Sequence, residues 1–194
     1  LGDRIRMSDW YTDPDVFIRS LATRGSMGGL HPKIIEITDL VKASPFDHII
    51  VETVGVGQSE IEIAGLADVT MVVMIPEAGD EVQTMKAGLM EIADIFVVNK
   101  SDRPGADSLK NEIEAALHMG ENTKAAEVHL TSALNGSGVE IVSEKIISAA
   151  SAVDTHLEKS ASGMSLRLAG VSIMEGNIVL MLISKAFTSS AIEE

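Results

Sequence analysis

Cysteine is absent from the 194 residues, and aromatic residues make up only 3% of them. The lack of cysteine excludes a disulfide framework, cysteine-ligated zinc, iron–sulfur clusters and a cysteine nucleophile, and it fits a reducing cytoplasm. With so few aromatic residues, the core must be built from aliphatic side chains. Positive charge is also scarce, since 15 Lys and Arg residues face 29 Asp and Glu residues and the net charge is −14. This balance argues against nucleic acid and anionic membranes as partners.

No apolar run is long enough to suggest a membrane span. The most apolar long stretch, 166–183, contains Arg167, Glu175 and Asn177, which a spanning helix would not readily hold. The five histidines show no metal-ligand spacing, so we expect them at the surface or at strand ends. A hydrophobic fraction of 45% is nevertheless ordinary for a folded globular chain of this length.

Short runs rich in valine and isoleucine alternate with stretches of helical length. Such runs are typical of strands in a parallel sheet that is covered on both faces. The sequence predicts strands at 48–51, 69–75, 95–98 and 128–130 and helices at 34–41, 59–67, 80–93, 106–118 and 138–150. We therefore expect a three-layer α/β domain over residues 1–150. The segment 151–194 shows no clean strand alternation and is predicted to be a helical tail that packs on the domain or on a second copy.

The predicted strand 95–98 runs into Asn99, Lys100, Ser101 and Asp102. An aspartate at a strand end can accept hydrogen bonds from both the N1–H and the exocyclic N2–H₂ of guanine, a donor pair that adenine lacks. The stem of Lys100 can lie across the base plane, and Asn99 can tie neighbouring loops together. The motif therefore favours a guanine nucleotide over an adenine nucleotide.

The predicted strand 48–51 also ends in a carboxylate, that of Glu52. A carboxylate at this place can hold a water molecule of a Mg²⁺ shell. Gly55, three positions later, would let a backbone N–H approach the γ-phosphate because it has no Cβ in the way. Gln58 lies on the same glycine-rich loop. We expect Glu52 and Gln58 to be the catalytic residues.

A third motif, Ser132, Ala133 and Leu134, follows the predicted strand 128–130. In guanine-nucleotide proteins, a Ser-Ala pair at this place offers a backbone N–H to O6 of guanine. The Ser-Ala dipeptide is common, so it supports a guanine-nucleotide site only because it follows Asn99 and Asp102 in the chain.

In this order, the three motifs resemble the later motifs of a P-loop GTPase. The MeaB/ArgK family of methylmalonyl-CoA mutase-associated GTPases is similar to this chain in the strings 1–7, 22–29, 51–60 and 79–83. The resemblance implies a three-layer P-loop NTPase domain of the SIMIBI type with a mostly parallel sheet. It also implies GTP and GDP as ligands, Mg²⁺ as cofactor, a homodimer, and a chaperone that regulates cobalamin loading and protection of methylmalonyl-CoA mutase.

The resemblance assigns further residues. Asp3 matches an aspartate near the Mg²⁺ site, and Glu52 matches the switch carboxylate. Asp80, Gln83 and Lys86 fall in a segment that relays nucleotide state to the mutase.

The phosphate-binding consensus Gly-x-x-x-x-Gly-Lys-Ser/Thr occurs nowhere in the sequence. In the family it precedes the string 1–7. We therefore expect a domain that is incomplete at its N-terminus, without the first strand, the P-loop and the first helix, and a chain that is by itself a poor GTPase.

Two other kinds of function stay open. A non-catalytic pseudo-GTPase or partner-binding fragment would keep the fold without hydrolysis, and a P-loop in the upstream coding sequence would decide between the two. A nickel-inserting GTPase would use cysteine and histidine to carry metal, and this sequence has no cysteine and no histidine pair.

Overall fold

The computed structural model describes residues 7–21, 31–44, 46, 48–53, 65–78, 87–119, 126–157 and 179–185. The helices are α1 (Ile34–Lys42), α2 (Ala87–Ile92), α3 (Ala106–Met119) and α4 (Val139–Leu157). The strands are β1 (His48–Thr53), β2 (Val69–Met74), β3 (Ile95–Val98), β4 (Glu127–Leu130) and β5 (Val179–Lys185). Short 3₁₀ turns lie at Ser8–Trp10 and Pro76–Ala78.

The four predicted strands are confirmed, and so are the predicted helices 34–41, 106–118 and 138–150. The described part of the predicted helix 80–93 is helical at 87–92. Most of the predicted helix 59–67 lies outside the described residues, and its described positions 65–67 are not helical.

The strand order in the sheet is β1-β5-β2-β3-β4. Strands β2, β3 and β4 pair in parallel, whereas β5 pairs antiparallel with both β1 and β2. Strands β1 to β4 therefore all run in one direction, as the apolar runs predicted. Their carboxyl ends meet at one edge of the sheet, which is where open α/β sheets bind ligands.

Both faces of the central strands are buried, which explains why those strands are apolar at consecutive positions. On one face, Phe96 and Val98 pack against Leu109 and Ile113 of α3. The opposite face packs against α4, whose contributing side chains are Val142, Ile146 and Ala150. The result is the expected three-layer arrangement, with an aliphatic core in which Phe96 is the largest fully buried side chain.

The tail differs from the predicted helical segment 151–194. Helix α4 continues through residue 150 to Leu157 without a break, and residues 179–185 form a strand in place of the expected helix. This strand is apolar at five successive positions, Val179 to Ile183. In the sheet β5 has strand neighbours on both sides, β1 and β2.

The longest described helix, α4, carries Glu140, Glu144 and Lys145 near its start. Across the described ranges, no helix combines the length and the apolar character that crossing a membrane requires.

Candidate functional site

Three backbone hydrogen bonds fasten the loops at the carboxyl ends of β2, β3 and β4. The Asn99 N–H donates to the Met74 carbonyl over 2.8 Å, and the Thr131 N–H donates to the Val98 carbonyl over 2.9 Å. The Ser101 N–H then donates to the Thr131 carbonyl over 2.9 Å. Two motifs that lie about thirty residues apart in the sequence are therefore side by side at one edge of the sheet.

The side chain of Asn99 joins these two loops. Its Oδ1 accepts the Thr131 hydroxyl at 3.3 Å and the Ala133 N–H at 3.1 Å. Asn99, Thr131 and Ser132 are all buried, so their polar groups form hydrogen bonds within the protein in place of bonds to water. The prediction that Asn99 ties neighbouring loops is confirmed by this geometry. The Ala133 N–H, a backbone donor of the predicted Ser-Ala motif, is engaged by Asn99.

The carboxylate of Asp102 is exposed and held by a neighbouring hydroxyl. Ser132 Oγ donates to Asp102 Oδ1. This hydrogen bond, followed by one from the Asp102 backbone, holds the pKa of the Asp102 carboxyl below its usual value. Asp102 is therefore biased towards the ionised form, which can only accept hydrogen bonds.

Lys100 adopts a left-handed backbone conformation with φ of 59°. Among the described residues it is the only residue other than glycine with positive φ. The left-handed region costs an L-residue on the order of 1–2 kcal/mol. The turn is closed by the Arg103 N–H, which donates to the Lys100 carbonyl over 2.9 Å. Backbone strain at a polar strand end is a common mark of a functional site.

The loop after β4 folds back on itself before α4 begins. The Ser132 N–H donates to the Ser137 carbonyl over 2.9 Å. Gly138 has φ of 72°, and a Cβ there would lie 2.2 Å from the Leu130 carbonyl oxygen. Only glycine fits so close to β4. Neither Thr131 nor Gly138 was predicted as a site residue, although Thr131 directly precedes the Ser-Ala pair and was within reach of sequence reasoning.

Two of the remaining predicted residues, Glu52 and Leu134, are exposed, and the others lie outside the described residues. Glu52 is exposed near the end of β1, and β5 lies between β1 and β2. Leu134 is 87% exposed. The predicted residues Asp3, Gly55, Gln58, Asp80, Gln83 and Lys86 lie outside the described residues.

The described residues do not assemble a magnesium site. Within them, no group of three or more histidines and carboxylates is placed to hold a metal ion. Of the two predicted metal-site residues, the described part contains Glu52 alone. Magnesium in nucleotide sites is held by one or two carboxylates together with substrate phosphates, so one exposed carboxylate does not establish it.

A largely parallel sheet with helices on both faces and polar loops joined at the carboxyl edge is the architecture of an α/β P-loop GTPase domain. A family model described as methylmalonyl-CoA mutase-associated GTPase MeaB matches residues 1–175. The chain belongs to this MeaB family.

Similar proteins carry related names. A Pyrococcus horikoshii protein named for an inferred GTPase activity is 51% identical over 152 residues, which are 75% of this chain and 48% of the relative. The GTPase ArgK of Escherichia coli is 40% identical over 122 residues, 61% of this chain and 37% of that protein. The fused isobutyryl-CoA mutase of Geobacillus kaustophilus is 42% identical over 114 residues, 59% of this chain and 10% of that protein. The chain thus spans about half or less of the length of these curated relatives.

Proposed function

We propose that this protein is a GTP-binding and GTP-hydrolysing chaperone of a cobalamin-dependent mutase. The site at the carboxyl ends of β3 and β4 would select the guanine base. The observation that carries the proposal is the Asn99 side chain, which holds the Asp102 loop and the Ser132–Leu134 loop at one edge of the sheet. Each loop presents groups suited to a different part of guanine.

Base selection follows from these groups. The ionised Asp102 carboxylate accepts two parallel hydrogen bonds, from N1–H and N2–H₂ of guanine, and adenine offers no such pair. The stem of Lys100 lies across the base. The backbone N–H groups of Ala133 and Leu134 serve O6, with the Ala133 N–H shared with Asn99 or released from it when the base binds.

The other predicted residues would act at the phosphate end of the nucleotide. In this proposal Glu52 and Asp3 support the Mg²⁺ ion, Gly55 approaches the γ-phosphate, and Gln58 assists Glu52 in hydrolysis. A bound Mg²⁺ ion would supply charge neutralisation for the phosphates.

A mutase partner is supported by two findings. The family is described as mutase-associated, and one relative is itself a fused isobutyryl-CoA mutase. We propose methylmalonyl-CoA mutase as the partner, cytoplasmic action as a homodimer, and control of cobalamin loading and protection of the mutase. Asp80, Gln83 and Lys86 would relay nucleotide state to it. Stable association of the chain with the purified mutase encoded in the same genome is expected, and its absence with and without GDP would refute this partner.

Base recognition is tested with the ¹⁵N-labelled 194-residue chain, titrated separately with GDP and ADP. The expected result is that GDP shifts the backbone amide signals of residues 99–102 and 131–134 and that ADP does not. Asp102→Asn should weaken GDP binding and improve binding of xanthosine diphosphate, because an amide presents one donor where the carboxylate presents an acceptor. The control Asp107→Asn changes an exposed aspartate in the first turn of α3. Equal responses to GDP and ADP would overturn the assignment.

A further inference from the structure

Arg103, which directly follows Asp102, forms an ion pair with a carboxylate from a different turn. Its Nη1 donates to Oε1 of Glu77. Glu77 belongs to the 3₁₀ turn Pro76–Ala78 at the end of β2. The same two turns also approach each other at Gly105, where a Cβ would lie 3.7 Å from the Pro76 Cβ. The turn after β2 is thus placed against the turn that carries Asp102.

Two carboxylates and two cations share this corner of the sheet. Arg103 and Lys100 both lower the pKa of Glu77 and the pKa of Asp102 through their positive charges. The two carboxylates nevertheless have different principal partners. The pKa of Glu77 is lowered first by its hydrogen bond with Arg103, and that of Asp102 first by its hydrogen bond with Ser132. Arg103 is bonded to Glu77 and acts on Asp102 only from a distance.

The donors of Arg103 resemble those that guanine presents. A guanidinium offers a planar pair of parallel N–H groups that suits a carboxylate bidentately. The N1–H and N2–H₂ edge of guanine offers the same pattern. An arginine next to Asp102 in the sequence is therefore an intramolecular competitor for the carboxylate that guanine needs.

We propose that Glu77 is a positioning residue that binds the Arg103 guanidinium and so keeps it away from the Asp102 carboxylate. The inference rests on the proposed guanine site and adds a determinant of its affinity. Glu77 keeps Asp102 open to the base without touching the base itself. The ion pair is half exposed, with side-chain accessibilities of 51% for Arg103 and 45% for Glu77, so its effect on affinity is modest.

The test uses three variants of the full 194-residue chain: Glu77→Gln, Arg103→Gln and the double substitution. Glu77→Gln should weaken GDP binding about threefold, a factor in keeping with the strength of an exposed ion pair, because Arg103 then turns to Asp102. Arg103→Gln should not weaken binding, since it removes the competitor. The double substitution should restore the affinity of the unmodified chain. The control Glu140→Gln removes an exposed carboxylate at the start of α4.

A second readout needs no nucleotide. The pKa of Asp102, followed by ¹³C NMR of its carboxyl, should fall further in Glu77→Gln because the guanidinium moves closer. It should rise in Arg103→Gln, where that charge is lost. A general loosening of the turn would not produce opposite shifts in the two variants. Loss of the Glu77 charge by itself would lower the pKa of Asp102 equally in the Arg103→Gln background, whereas a guanidinium that moves lowers it only where Arg103 is present.

Three results would overturn the role of Glu77. The first is that the pKa of Asp102 does not change in Glu77→Gln. The second is that Glu77→Gln binds GDP as tightly as the Glu140→Gln control. The third is that the double variant binds GDP as weakly as Glu77→Gln. If the unmodified chain fails to prefer GDP over ADP, the proposed guanine site is refuted, while the pKa measurement still decides whether Glu77 holds Arg103 away.

Discussion

The side-chain oxygen of Asn99 lies 3.1 Å from the Ala133 nitrogen and accepts its N–H. One buried amide therefore fixes the loop after β4 against the loop after β3, and the Thr131 hydroxyl adds a second bond to the same oxygen. At the edge of the sheet that carries Asp102, side-chain hydrogen bonds thus add to the backbone hydrogen bonds between the loops. The geometry of this edge should be sensitive to single substitutions that leave the core intact.

Replacing Asn99 by alanine should lower the free energy of unfolding by about 1–3 kcal/mol, because it leaves the buried Thr131 hydroxyl and the Ala133 N–H without their acceptor. Urea denaturation measures the loss, and amide exchange at Ala133 should accelerate. Asn135→Ala is the matched control, since Asn135 is exposed and accepts only the local Ser137 N–H among its described contacts. Equal stability of the two variants would contradict the bridging role of Asn99.

Ser132→Ala should raise the pKa of Asp102 towards its ordinary value, because the hydroxyl is the largest cause of the lowered pKa. A folded-state pKa below the unfolded value stabilises the fold above the unfolded pKa, and this stabilisation is lost as the pH falls through the folded pKa. In the variant, Asp102 should therefore become protonated at a higher pH. As the solution is acidified, GDP binding should also be lost at a higher pH than in the unmodified chain. Carboxyl ¹³C NMR gives the pKa, with Ser137→Ala as control; an unmoved pKa would contradict the bond.

Lys100→Gly and Lys100→Ala remove the same side chain but differ in backbone freedom. The left-handed conformation at φ of 59° strains alanine and suits glycine. The free energy of unfolding of the glycine variant should therefore exceed that of the alanine variant by about 0.5–1 kcal/mol, after subtraction of the larger entropy loss of glycine on folding. Thermal or urea unfolding makes the comparison. Both variants should bind GDP more weakly than the unmodified chain, and a glycine variant less stable than the alanine variant would refute the strain.

Gly138→Ala should destabilise the chain by several kcal/mol, on the order of 2–4, because it adds a steric clash to backbone strain. Its Cβ would lie 2.2 Å from the Leu130 carbonyl oxygen. Gly136→Ala is the internal comparison: its φ is 79°, but nothing lies within 4 Å of an added Cβ. That variant should lose only about 1 kcal/mol. Similar unfolding midpoints for both would show that the loop can move away from β4.

Met181→Pro should detach β1 from the sheet. Residue 181 pairs with Glu52 on one side and with Met71 on the other, and proline in a central strand removes a ladder hydrogen bond. Hydrogen exchange should show lost protection at the amides of residues 49–52 while β3 and β4 amides stay protected. Uniform loss across all strands, or none in β1, would contradict the bridging position of β5.

Local patterns were enough to predict the parallel strands and the place of Asn99 and Asp102 at the edge of the sheet. The runs 71–75 and 95–98 are apolar at every position because helices cover both faces of those strands. The placement of Asn99 and Asp102 follows from their position at a strand end. In these cases a residue's environment is set by the element it occupies.

Features that depend on distant partners were not predictable. The segment 179–185 was expected to be helical, and it becomes a strand because β1 and β2 each provide a backbone edge beside it. The pair of Glu77 and Arg103 joins two turns, and neither residue type in isolation signals the contact. The left-handed backbone of Lys100 is likewise imposed by its hydrogen-bonded turn rather than by lysine itself.

The central position of β5 has a consequence for the order of events during synthesis. His48 pairs with Lys185, so β1 and its sheet neighbour are separated by most of the chain. Strands β2, β3 and β4 can assemble with the helices between them as they leave the ribosome, whereas β1 has to wait for β5. At about 5–20 residues per second, that wait lasts on the order of ten seconds. Pairing across so long a stretch carries a large loop-closure cost and slows folding. The strand that contains Glu52 should therefore be the last of the five to become protected, and the one most exposed to chaperones in a nascent chain.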